Sequence, residues 1–207
     1  MTTLIIARHG NTFGPDDTPT RVGCHTDLPL VEKGIQQAKA IGRYLKENKM
    51  IPDVVYASHL QRTQATAQIA IKESGISNPV FTLDIFNEID YGPDENKTED
   101  EVIARIGADA IKKWDEEAIV PKGWKADPET IIQNWKLFAD QIRAHDDNET
   151  VLVVTSNGIA RFAPYLTGDF EAFKSSHSLK LSTGALAVFD YRDNRWIVRE
   201  WNLKPSI

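Results

Sequence analysis

Two apolar runs, from Thr3 to Ala7 and from Val151 to Val154, each stop at a polar cluster: Arg8-His9-Gly10 after the first and Thr155-Ser156-Asn157-Gly158 after the second. Continuous apolar runs, as opposed to alternating ones, belong to strands covered on both faces, and such strands lie in the middle of a largely parallel sheet. Asp53-Val54-Val55-Tyr56-Ala57 is a third run, and it too stops at a polar residue, Ser58. Three central strands with polar carboxyl ends restrict the chain to an open α/β sheet, which holds its sites beyond those ends.

The sequence between the runs supplies covering helices. Val31, Ile35, Ala38 and Leu45 keep helical spacing, as do Ile131, Trp135, Phe138 and Ile142. Asp127-Pro128 predicts the cap and first residue of the second of these helices. Ala185 to Tyr191 and Trp196 to Trp201 are β-rich and separated by Arg192-Asp193-Asn194-Arg195, the pattern of an antiparallel hairpin. From Pro93 to Lys125 the pattern weakens into charged sequence interrupted by glycine and proline, with helices predicted about Glu99 to Ile106 and Ala108 to Ala118. This stretch reads as an insertion over the site, at about residues 93–125, within a single domain spanning residues 1–207.

Composition narrows the partners. A chain of 207 residues that is 41% apolar can bury one good core. The formal net charge of −6, with both signs mixed along the chain, argues against nucleic acid or an anionic membrane as partner, so any anion site is a local arrangement. Cys24 is the only cysteine, which excludes an internal disulfide and a cysteine-based zinc cluster, and the five histidines lack metal-ligand spacing. No metal or organic cofactor is expected. The first residues carry no basic leader and their apolar run is too short for a signal or a span, so a cytoplasmic protein is expected. The oligomeric state is left open.

Arg8-His9-Gly10-Asn11-Thr12 brings a cation, an imidazole, a glycine and two polar side chains together at a strand end. That set suits a phosphoryl group. Arginine matches phosphate oxygens with a planar fork, glycine lets backbone N–H groups approach, and neutral imidazole can attack phosphorus. In Ser58-His59-Leu60-Gln61-Arg62, Ser58 is placed to cap a helix whose Leu60, Ala67, Ala70 and Ile71 share one face. Arg62 then falls in a first turn whose free N–H groups favour an anion. Taken singly, Arg-His-Gly is a weak signal that a satisfied surface turn also explains, and a surface arginine is the better reading of Arg62.

The combination resembles the histidine phosphatase superfamily, which includes the cofactor-dependent phosphoglycerate mutases. Five elements in the family's order carry the resemblance: Arg8 to Thr12, Gly23 through Asp27-Leu28-Pro29-Leu30 to Gly34, Ser58 to Ala67, Asn87-Glu88-Ile89-Asp90-Tyr91-Gly92, and Thr155 to Arg161. It implies a three-layer αβα sandwich with a mostly parallel central sheet. It implies His9 as the nucleophile that becomes phosphohistidine, Arg8 and Arg62 as phosphate clamps, and Glu88 as proton donor to the leaving oxygen. Glu88 stands among Ile85, Phe86 and Ile89; Asp90 is the rival acid.

The chain departs from the family at Thr155-Ser156-Asn157-Gly158, where the usual sequence is Thr-His-Gly-Gly and the second catalytic histidine falls on Ser156. Ser156 and Asn157 offer neutral donors to a phosphate in place of a cationic imidazole. Asn11, where the family often has glutamate or glutamine, joins the same phosphate set and implies a changed substrate preference. His25 and His177 match no family position and read as structural or solvated. The expected function is hydrolysis of a small phosphate monoester, with inorganic phosphate as the minimal ligand. The alternatives are mutase-like phosphoryl transfer and a weakened module that binds phosphate or phosphoprotein without turnover.

Overall fold

The computed structural model describes residues 1–145 and 148–207. Its sheet has six strands: β1 (Thr3–Arg8), β2 (Val54–Ala57), β3 (Val80–Thr82), β4 (Thr150–Thr155), β5 (Leu186–Arg192) and β6 (Arg195–Leu203). Their order is β3-β2-β4-β1-β5-β6, parallel from β3 to β1 and antiparallel from β1 to β6. The two long apolar runs are the neighbouring central strands β4 and β1.

Strand alternation divides those runs between two cores. Leu4, Ile6, Val151 and Val153 face one apolar cluster, and Ile5, Ala7, Leu152 and Val154 face the other. The second cluster is closed by Ile41 and Leu45 of α1 (Glu32–Glu47) and Ala67, Ala70 and Ile71 of α2 (Gln61–Ser74). These helices approach closely at Gly42, where a Cβ would lie 2.3 Å from the Ala70 carbonyl oxygen. The first cluster takes Val102 of α3 (Glu99–Ile106), Trp114 of α4 (Ala108–Glu117), and Trp135, Phe138 and Ile142 of α5 (Pro128–His145). It also takes Ile159 and Ala160 of α6 (Asn157–Ala160), and Phe170 and Phe173 of α7 (Phe170–Ser176). Helices therefore cover both faces of a mixed, mostly parallel sheet, the three-layer sandwich expected.

Local chemistry explains the element ends. Asp127 caps α5 as expected, accepting from Glu129 N at 3.3 Å and from Thr130 Oγ1 at 2.5 Å. The hairpin turn is Asp193-Asn194 alone, with φ of 52° and 59°, the left-handed pair a two-residue hairpin of this twist requires. Arg192 and Arg195, expected in the turn, end β5 and begin β6. The 93–125 stretch contributes buried Trp114 and Trp124 to the main core, their rings edge-on with centroids 5.3 Å apart. Among the described residues no helix is long and apolar enough to cross a membrane.

Candidate active site

β1 and β4 end side by side, with Arg8 opposite Thr155. His9 N donates to Thr155 O at 3.1 Å, which extends the pairing past the end of β1. At the next residue only a glycine fits: a Cβ on Gly10 would stand 2.4 Å from the Gly34 carbonyl oxygen in the first turn of α1. Gly10 N donates to Thr66 Oγ1 of α2 at 3.0 Å, so both helices fix the turn that carries the imidazole.

His9 is buried, with Nδ1 2.8 Å from Gly10 O. A carbonyl only accepts, so Nδ1 carries the proton and Nε2 keeps a free lone pair. Burial drives the His9 pKa well below its ordinary value, and the positive charges of Arg8 and Arg62 push the same way. The side chain is therefore a neutral imidazole held in one tautomer.

Arg8 Nη1 donates to Leu181 O at 3.0 Å, and fully buried Arg62 donates from Nη1 to Thr26 O at 2.8 Å and from Nη2 to Gly23 O at 3.2 Å. Burial lowers the pKa of both guanidiniums, and the charge of Glu88 opposes the shift in each. Five buried side-chain polar atoms have no hydrogen-bond partner among the described residues. Four belong to this region: Arg8 Nε, Arg62 Nε, Arg21 Nε and Ser156 Oγ. Buried donors are rarely left unpaired, and a group of them on cationic side chains suits an anion.

The α2 terminus differs from expectation. The helix begins at Gln61 with Leu60 preceding it, and Ser58 Oγ accepts from Leu60 N at 3.2 Å and bonds Thr63 Oγ1 at 2.6 Å. The Gln61 N–H is taken by Asp27 Oδ1 at 2.8 Å. A carboxylate of the chain thus already occupies part of the terminus expected to stay free for an anion. Arg62 lies in the first turn as expected, but folds back onto the 23–26 turn.

Glu88 is buried, its Oε1 accepting from Ile89 N at 2.9 Å and its Oε2 from Gly158 N at 3.2 Å. Gly158 is as constrained as Gly10, since a Cβ there would fall 2.2 Å from Glu88 Oε1. The β4 end therefore seats the carboxyl group. Asp90 points to other partners: Gly92 N at 2.7 Å, His25 Nε2 at 3.1 Å and Lys125 Nζ at 3.5 Å. The Gly92 N–H bond, chief among these, lowers its pKa, and it does not line the main cavity.

That cavity, of about 600 Å³, is lined by Arg8, His9, Asn11, Glu88 and Asn157 among the expected residues. Arg62 and Ser156 lie outside its wall. Asn11 N donates to Gln37 Oε1 at 2.8 Å, and Asn11 Oδ1 accepts from Thr183 Oγ1. Asn157 Oδ1 accepts from Leu181 N at 2.9 Å, holding the loop whose carbonyl holds Arg8. His177 lines a separate shallow cavity and stacks on Phe173 at 4.6 Å. Sequence reasoning missed Arg21, Tyr91 and Lys180 in the wall, and buried Arg161, which donates to Trp114 O at 2.6 Å and stacks over that ring. Burial lowers the Arg161 pKa to about 10. None of the four has a spacing signal, although Tyr91 lies within the fourth quoted motif and Arg161 closes the last.

An open, mostly parallel sheet with a neutral histidine, buried arginines and a seated carboxyl group at adjoining strand ends defines a chain of the phosphoglycerate-mutase-like class. Residues 4–204 match the histidine phosphatase superfamily (branch 1), and the chain belongs to it. The 2,3-bisphosphoglycerate-dependent phosphoglycerate mutase of Bartonella tribocorum is 25% identical over 205 residues, 98% of each chain. Among solved structures, Bacillus stearothermophilus YhfR is 23% identical with a TM-score of 0.78, covering 98% of each chain. The phosphoserine phosphatase of Entamoeba histolytica, in complex with 3-phosphoglyceric acid, is 24% identical with a TM-score of 0.74, covering 98% of this chain and 97% of that one.

Proposed function

We propose that this chain hydrolyses a small phosphate monoester through a phosphohistidine on His9. The observation that carries the reading is the fixed tautomer of a neutral His9 beside Arg8 and the Glu88 carboxyl group in one cavity. In the first step Nε2 donates its lone pair to phosphorus, the bond from phosphorus to the ester oxygen breaks, and Glu88 gives that oxygen a proton. In the second, the Glu88 carboxylate takes a proton from water as the water oxygen attacks phosphorus, and the bond to Nε2 breaks. Arg8 and Arg62 neutralise charge on the transferring group, which is most of what such a reaction asks of the protein. These groups need neither metal nor organic cofactor.

Asn11, Asn157 and Ser156 complete the phosphate set, with Ser156 standing for the second histidine of the family and supplying one neutral bond in its place. The leaving group lies toward Arg21, Tyr91 and Lys180, against the 93–125 insertion, whose Glu99 lines the same cavity. A cytoplasmic metabolite suits a cavity of this size. The mutase relatives support a second reading, in which the phosphoenzyme passes its phosphate to a phosphoglycerate and water is the poorer acceptor.

The test is a screen of phosphorylated metabolites with wild type and His9→Ala in parallel, with water and phosphoglycerate compared as acceptors. We expect hydrolysis in wild type and a loss of at least ~10⁴-fold in the variant, as for other enzymes stripped of their nucleophile. Acid-labile, base-stable label on His9 identifies the intermediate. Undiminished activity in His9→Ala removes the mechanism, and phosphate binding without turnover leaves a binding module.

A further inference from the structure

Cys24 and His25 sit in the turn whose two flanking carbonyls, Gly23 O and Thr26 O, hold Arg62. Folding brings Asp90 to them. A ligand atom from each of the three residues lies within 4.8 Å of the other two. The adjacent pair Cys24-His25 gives no metal signal in the sequence, because its third member is far along the chain.

The turn is braced. Glu95 Oε1 accepts from Gly23 N at 2.9 Å, His25 N at 3.2 Å and Thr26 Oγ1 at 2.8 Å. Cys24 N donates to Ile89 O at 3.1 Å, which ties the turn to the residue before Asp90. Gly23 admits this arrangement, since a Cβ there would fall 2.2 Å from Glu95 Oε2. The three ligands are therefore presented on fixed backbone, with His25 Nε2 already 3.1 Å from Asp90 Oδ2, and His25 is 65% exposed, leaving a path in and room for water as a fourth ligand.

We propose that Cys24, His25 and Asp90 bind one zinc-like divalent cation. One sulfur, one imidazole nitrogen and one carboxylate oxygen with an open fourth position form a donor set that zinc accepts. Tetrahedral bonding puts such atoms about 3.3–3.8 Å apart, and three ligand atoms that already lie within 4.8 Å of one another reach that spacing by small side-chain movements. The Cys24 thiol gives its proton to water as the sulfur–metal bond forms. Lys125, now 3.5 Å from Asp90 Oδ2 and 75% exposed, yields its place and returns to solvent. By joining Cys24 and His25 to Asp90, the cation fixes the turn that carries Arg62 from behind. The coordination stands whether or not the chain is a phosphatase.

The test is titration of the full chain, dialysed against a chelator, with Co²⁺ as a spectroscopic stand-in for Zn²⁺. One equivalent should give a thiolate-to-cobalt charge-transfer band in the near ultraviolet and the strong visible bands of four-coordination, both lost on adding Zn²⁺. Cys24→Ser should abolish the charge-transfer band. His25→Ala and Asp90→Asn should each weaken binding by more than the ~10–100-fold that loss of an outer-shell partner costs. Zn²⁺ should raise the melting temperature of wild type and leave that of Cys24→Ser unchanged, while His9→Ala should bind as wild type does. The absence of the charge-transfer band in wild type, or its survival at full affinity in both His25→Ala and Asp90→Asn, overturns the site.

Discussion

The ends of β1 and β4 lie side by side in the sheet but contribute different chemistry. At the β1 end every residue is charged or reactive, or serves one that is: Arg8 is a half-buried cation, His9 a neutral imidazole, and Gly10 supplies the carbonyl that sets the tautomer. At the β4 end no side chain from Thr155 to Gly158 is ionisable, and their contribution is placement. Asn157 holds the 181 loop, Gly158 seats Glu88, and Ser156 Oγ has no partner among the described residues. Under the proposed function, nucleophile and acid stay well positioned while the stabilising charge between them is changed, and a serine at 156 in place of a second histidine tunes rate without dismantling the site.

The comparison breaks most visibly at Glu88. If the β4 end exists to place a proton donor, Glu88→Gln should cost an alkyl phosphate the ~10²–10⁴-fold typical of general acid catalysis, because glutamine keeps the shape and cannot give up a proton. An activated aryl phosphate, whose leaving oxygen needs no proton, should lose far less. kcat/KM for both substrates measures this, with inorganic phosphate binding as a control for the pocket. Equal losses on the two substrates, with phosphate binding intact, would make the carboxyl group a positioning residue and remove the division of labour between the strand ends.

A smaller change is expected in the opposite direction from Ser156→His, which returns a cationic donor to the β4 end. The gain on a generic phosphomonoester should stay within the ~10²–10³ that one such donor is worth. A double change would add Asn157→Gly. Asn157→Gly restores the family's local sequence but deletes the bond to Leu181 N, at a cost of about 1 kcal/mol, and loosens the loop whose carbonyl braces Arg8. The single change should therefore outperform the double in stability, and rates should be compared at equal folded fraction. If neither variant gains rate and both lose phosphate affinity, Ser156 does not stand where a second histidine would act.

The two ends also differ in how far they can be read from the chain. Arg8-His9-Gly10 is contiguous, and β1 and β4 show themselves through apolar runs set by burial on both faces. Helices α3 and α4 are legible through their spacing, and the end of α4 misses expectation by one residue because Ala118 turns left-handed with φ of 56°. β3 is not legible: it has three residues, with Phe81 half exposed, and its strand state rests on pairing with β2. The Ser58 cap failed for a similar reason, since Asp27, distant in sequence, takes the Gln61 N–H. Arg21, Tyr91 and Lys180 enter the cavity from three separate segments, and only folding puts them together. Long-range partners are what a local pattern omits.

The smallest expected effect concerns pH and bears on the β1 end alone. The folded-state pKa of His9 lies well below its ordinary value, chiefly through burial, with Arg8 and Arg62 adding to it. The unfolded chain binds a proton at this residue near pH 6.5, and the folded chain does not until far lower pH. A depressed folded pKa makes the contribution to stability fully present above the unfolded value and progressively lost as pH falls from there toward the folded value. Wild type should therefore lose stability relative to His9→Gln between pH 7 and pH 5, by up to about 2 kcal/mol at the lower end, since each pH unit is worth ~1.4 kcal/mol per proton. Other titrating groups are common to both proteins and cancel in the difference. Urea unfolding of the two proteins at several pH values measures it. Parallel curves would mean that folded and unfolded chains take up the proton at His9 together, so that burial and the two arginines do not hold the imidazole neutral as pH falls.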